Sequence, residues 1–127
     1  MWAPRWQALG MTGFAVVLTL STWFSATAVA PEIAQDLGLL TSQVASLTNA
    51  VQVGFVVGAL AASFFALADI WPMARLLAVG AICAGLSNAI ILTDPGPVGA
   101  VMSRFATGLS LAFVYPTAMK FIGTWFV

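Results

Sequence analysis

In the segment "VMSRFATGLSLAFVYPTAMK" a single guanidinium, Arg104, is followed at offsets of three, four, seven and eleven residues by Thr107, Gly108, Leu111 and Tyr115. On an α-helix these positions share one side, so a cation, a phenol and the gap left by a glycine point the same way. A guanidinium presents a planar fork that can hold an oxyanion through two hydrogen bonds. An upstream segment, "TLSTWFSATA", sets Thr19, Trp23, Ala26 and Thr27 along one helical face, aligning two hydroxyls with an indole N–H. That face either lines a polar cavity or bonds its hydroxyls back to the carbonyls of its own helix. Asn49 and Gln52 form a further polar pair, suited equally to hydrogen bonds between helices and to contact with a solute.

What such residues can do depends on the solvent, and composition identifies it. Of 127 residues, 61% are apolar and 6% are charged, whereas soluble domains carry about a quarter charged residues. Four apolar runs, at about 8–30, 42–68, 72–92 and 98–119, each supply the roughly 20 residues that cross about 30 Å of hydrocarbon. The polar break "PEIAQDLGLLTS" separates the first two, and the turn "TDPGP" ends the third, its Asp94 accepting local backbone donors. The expectation is an all-α integral membrane protein, one membrane domain over 1–127 with four transmembrane helices. The opening segment with "AVA" at 28–30 also has the look of a secretory signal. Its long apolar span, the Pro31 that follows and the next span argue for retention as the first helix.

In that solvent Arg104, on the order of 10 Å inside the boundary, must face inward, because lipid contact there would cost several kcal/mol. It either lines a solute path, or snorkels or pairs with the backbone of a neighbouring helix. Arg5, Arg75 and Lys120 fall on the N-terminus, the 2–3 loop and the C-terminus, while Glu32, Asp36 and Asp94 fall on the other two loops. The positive-inside rule therefore predicts a multi-pass protein of the cell membrane with both termini cytoplasmic. Trp2, Trp6 and Trp125 then lie near the inner headgroups. In the second span Gly54, Gly58 and Ala62 recur every four residues, a stripe for close helix packing. Cys83 reads as a small apolar packing residue. With no His, no metal-ligand cluster, no phosphate-cradling loop and no nucleophile paired with a base, the chain offers no enzyme chemistry, cofactor site or nucleic-acid surface.

The segment "SRFATGLSLAFVYPTAMKFIGTWF" resembles the fourth helix and following loop of the major facilitator superfamily, in Arg104, Gly108, Pro116, Trp125 and Phe126. "WFSATAVAPEIAQDLGLLTSQVASLTNA" is similar to that superfamily's first helix, its Pro-Glu exit and the start of its second helix. The 2–3 loop, "FALADIWPMAR", matches the family's loop motif at Leu67, Ala68, Asp69 and Arg75, but has Phe65 and Pro72 in place of glycines and Ile70, Met73 and Ala74 in place of basic residues. Asp69 still precedes the third helix, whose N-terminus favours an anion, and Pro72 suits the first helical turn.

The resemblance implies part of a six-helix N-terminal bundle, and solute transport by alternating access between two such halves. It makes Arg104 the main polar group of the cavity, neutralising an anionic solute or coupling its movement to protons, with Tyr115, Thr107, Gly108, Thr19, Trp23 and Thr27 shaping the site. Four spans are fewer than such a transporter has, so the expectation is a fragment or truncated product whose partners are the bilayer, the solute and the missing helices or another membrane chain. Two other classes fit the composition: a small dimeric four-helix exporter, and a non-transporting membrane interaction protein.

Overall fold

The structure is a computed structural model that describes residues 2–93 and 96–126. Asp94, and with it the expected "TDPGP" turn, lies outside the described residues, as do the side chains of Trp2, Ala26 and Ala68. The described residues are all helical or connecting: α1 (Trp2–Ala28), α2 (Ala30–Leu37), α3 (Thr41–Phe64), α4 (Leu67–Ile70), α5 (Met73–Ala89), a 3-10 turn (Ile90–Thr93) and α6 (Gly96–Gly123). Four helices are long and apolar enough to cross a membrane: Pro4–Ser25, Thr41–Phe64, Met73–Thr93 and Gly96–Gly123.

Several segments differ from the sequence expectation. The polar break after the first span is itself a helix, α2, because Pro31 falls in the first turn, where its missing N–H is harmless, and Glu32 complements the helix N-terminus. Gly38 ends α2 in the left-handed conformation (φ 64°), which glycine adopts without a Cβ clash, and its N–H returns to the carbonyl of Ala34. The second span stops at Phe64 rather than near residue 68. The chain turns at Ala66, a left-handed non-glycine residue (φ 49°), into the one-turn helix α4. Pro72, expected in the first helical turn, is the N-cap of α5. At the far end α6 runs on to Gly123, through Pro116. Proline removes one helical donor and so leaves the Ala112 carbonyl without its usual bond, a loss tolerated in membrane helices.

The bundle is organised around α6. Half of its apolar window is buried (50%), against 11% for α1. The core gathers Leu47 and Val51 of α3 with Ala100, Leu111 and Val114 of α6, each at most 1% exposed. Glycine explains how α3 comes so close. A Cβ at Gly54 would lie 2.1 Å from the Phe105 carbonyl oxygen, and one at Gly108 would lie 2.0 Å from that of Val51. Gly58 similarly abuts Leu109 and Ala112. The small-residue stripe of the second span is therefore a packing seam, with Gly108 its counterpart on α6 and Ala62 half-buried beyond it. On the other flank Gly80 of α5 abuts Val114.

The N-terminus, the α4 loop and the C-terminus meet at one end of the bundle. Trp6 packs edge-on to Phe126 with ring centroids 5.5 Å apart, and the Arg5 guanidinium lies 5.6 Å from the Phe126 ring centre. Lys120 at the end of α6 pairs with Asp69 of α4. Packing at this end thus collects Arg5, Asp69 and Lys120, while α2 and the 3-10 turn cap the other.

Candidate functional site

Arg104 is 0% exposed. Its guanidinium donates from Nη1 to the Thr22 carbonyl at 2.7 Å and to Asn88 Oδ1 at 2.6 Å, and from Nη2 to the Trp23 carbonyl at 2.5 Å. Among the described residues Nε–H has no hydrogen-bond partner. One side chain of α6 therefore ties together α1 and α5. The acceptors suit this role, because a carbonyl has a second lone pair after its helical bond, so α1 can accept Arg104 without unwinding. The three acceptors are neutral, and among the described residues no carboxylate lies within ion-pair distance of the guanidinium. Of the two structural alternatives open in the sequence, pairing with the backbone of a neighbouring helix is the one observed, and snorkelling is not.

The polar residues nearby extend the same joint. Ser25 Oγ bonds to the Thr22 carbonyl at 2.9 Å and to Asn88 Oδ1 at 3.2 Å. Ser103, one residue before Arg104, donates to the Ser87 carbonyl, so α5 and α6 are joined twice at neighbouring positions. Sequence reasoning missed Asn88 and Ser87. The signal was depth: Asn88 precedes the "TDPGP" segment by a few residues and Arg104 follows it by a few more, so two polar groups in adjacent spans lie at similar depth.

The other residues singled out in the sequence divide. Thr107 and Gly108 share the buried side of α6 with Arg104, as their spacing predicts, but both are occupied. The Thr107 hydroxyl bonds the Ser103 carbonyl at 2.9 Å, and the space over Gly108 is filled by the Val51 and Phe55 backbone. Tyr115, at an offset of eleven, is 42% exposed and apart from the Arg104 joint. On α1 the Thr19 hydroxyl bonds back to the Ala15 carbonyl at 2.7 Å, and Trp23 packs its ring edge-on to Phe55 at 5.3 Å. Thr27 meets Thr48 of α3, hydroxyl to hydroxyl, at 3.0 Å. Asn49 and Gln52 are both exposed. In the loop, Asp69 lies beside Lys120 and Arg75 is exposed.

Four cavities, of about 470, 270, 250 and 200 Å³, open between the helices, and their linings do not include Arg104, Thr107, Gly108, Tyr115, Thr19, Trp23 or Thr27. The largest separates α1 from α5 at the Arg5 end, with Met11, Thr12, Leu77 and Phe121 in its wall. Cys83, exposed on α5, lines the second. Asn88 and Ser25 line the third. No protein-family model, curated protein or solved structure matches the chain.

Proposed function

We propose that this chain carries out solute transport by alternating access, as the first four helices of a major facilitator type bundle set in the cell membrane with both ends cytoplasmic. The observation that supports this reading best is the contrast in how α6 is held. Its seam with α3 is interlocked at backbone distance, whereas a buried arginine links it to α1 through two neutral carbonyls. Alternating access requires one part of a bundle to move against another. A joint of hydrogen bonds to carbonyls can break and re-form without separating two opposite charges in a low dielectric. A buried intramembrane cation is also the usual mark of a functional position. The solute is a small molecule, and the solute path would need further helices, supplied by the rest of a longer protein or by another membrane chain.

One fact favours a second reading, a non-transporting membrane interaction protein: Arg104 is wholly enclosed and three of its N–H groups are already bonded to protein. The two readings separate in proteoliposomes holding the complete reading frame that contains this chain. Under the transport reading Arg104→Ala abolishes uptake per monodisperse molecule and Arg104→Lys lowers it, because a single ammonium cannot reproduce the planar fork. Near-normal uptake by the folded Arg104→Ala protein would remove the transport role of this residue. No uptake of any solute by the intact protein would favour the second reading.

A further inference from the structure

The cavity of about 250 Å³ lies at the end of the bundle that carries α2 and the 3-10 turn, between Ser25, Ile33, Gly85, Asn88 and Leu92. Its polar wall consists of Ser25 and Asn88, hydrogen-bonded to each other at 3.2 Å. Immediately behind that wall is Arg104, bonded to Asn88 Oδ1 at 2.6 Å. Arginine offers only donors, so the amide oxygen must face it and the amide nitrogen must face away. That nitrogen, Nδ2, has no hydrogen-bond partner among the described residues, and Asn88 lines the cavity. The wall therefore presents an unused N–H donor to the open side and a guanidinium to the closed side.

The charge behind the wall is not neutralised. The acceptors of Arg104 are two carbonyls and an amide oxygen, and among the described residues no carboxylate reaches it and its buried Nε–H has no hydrogen-bond partner. In a poorly polarisable interior such a charge attracts an anion far more strongly than it would in water. The space on offer is small, below the roughly 300–1,000 Å³ of sites for drug-sized ligands. Room is left at Gly85, where an added Cβ would meet nothing within 4 Å.

We propose that this cavity binds a small inorganic or carboxylate anion, of the size of nitrate or formate, which accepts a hydrogen bond from Asn88 Nδ2 and is held by the charge of Arg104 through the Asn88 amide. The site does not depend on the transport reading, because binding is measured on the chain itself.

The test is calorimetric titration of nitrate into the purified protein in detergent, at an ionic strength kept constant with gluconate, a larger and more strongly hydrated anion. Saturable binding is expected, with a matching rise in the unfolding midpoint. Asn88→Asp keeps an acceptor for Arg104, and so keeps the joint, but neutralises the charge and removes the donor; nitrate affinity should fall at least about tenfold. Gly85→Leu grows a side chain into the cavity from an unobstructed position and leaves the Arg104 bonds alone, and it should weaken binding to a similar degree. Absence of saturable nitrate binding by the folded wild-type protein overturns the site. So does wild-type affinity in either variant once it is shown to be folded.

Discussion

Toward α3 and toward α1, α6 is held by opposite kinds of contact. Toward α3 the helices meet through missing side chains: Gly54, Gly58 and Gly108 bring backbone atoms of one helix to where a Cβ of the other would be. Toward α1 they meet through one of the longest side chains available, which reaches across to carbonyls at Thr22 and Trp23. In hydrocarbon neither flank gains from the hydrophobic effect, since lipid tails are as apolar as the side chains they would replace. The first flank is held by dispersion at close range, which grows with every atom pair in contact and fails abruptly when the helices are pushed apart. The second is held by two directional bonds to α1, braced by a third from the same guanidinium to Asn88 of α5. The transport proposal takes the first contact as the fixed one and the second as the one that moves.

This contrast breaks most readily on the glycine flank. Gly108→Val sets a branched side chain where even a Cβ would lie 2.0 Å from the Val51 carbonyl oxygen. Both partners are backbone and cannot rotate away, so a loss of at least about 3 kcal/mol is expected. Chemical unfolding in detergent micelles, together with the yield of monodisperse protein, measures it. A variant as stable as the wild type would mean that the two helices are not in backbone contact. Gly85→Ala is the matched control. It meets nothing within 4 Å and should be neutral or gain up to about 1 kcal/mol from the better helix former.

Where polar bonds tie α6 to α1 and α5 the expected losses are smaller. Arg104→Lys keeps the charge but can satisfy fewer of the three acceptors, for a loss of about 1–3 kcal/mol. Ser103→Ala removes a single bond to the Ser87 carbonyl and should cost about 0.5–1.5 kcal/mol. A double-mutant cycle between Arg104→Lys and Asn88→Ala sharpens the point: the two changes should be non-additive, because they remove the same 2.6 Å bond. Full additivity would separate Asn88 from the joint.

The weakest effect belongs to the exposed end. Asp69 and Lys120 form an ion pair with side chains 69% and 45% exposed. Water and salt screen such pairs, so Asp69→Asn should change stability by no more than about 1 kcal/mol, and by less at high ionic strength. A larger loss, measured by the same unfolding assay at low and high salt, would show that α4 does more than connect α3 to α5.

Much of this architecture is local and was legible in the sequence. A backbone in hydrocarbon must satisfy its own hydrogen bonds, so an apolar run of sufficient length has to be helical; residues 8–30, 42–68, 72–92 and 98–119 foretold four helices to within a few residues at most ends. Periodicity alone put Arg104, Thr107 and Gly108 on one buried side, and the four-residue spacing of Gly54 and Gly58 announced a packing seam. Helix geometry dictates such relations within one element, and they need no knowledge of neighbours.

Everything that depends on which helix stands next to which was decided only by the tertiary structure. Arg104 could equally have met water, lipid headgroups or another helix. That it ends on Thr22, Trp23 and Asn88 follows from the way α1 and α5 flank α6. Asn88 is unremarkable on its own helix and acquires a role only because a guanidinium lies within 2.6 Å of it. Tyr115 shares the arginine's helical side yet is 42% exposed, because burial is set by neighbouring elements as well as by helical phase. The segment "PEIAQDL" was polar enough to pass for a loop, and Asp69 gave no sign of Lys120, 51 positions away. Sequence spacing fixes phase along a single helix, whereas contacts between helices depend on separations and crossings that no one segment encodes.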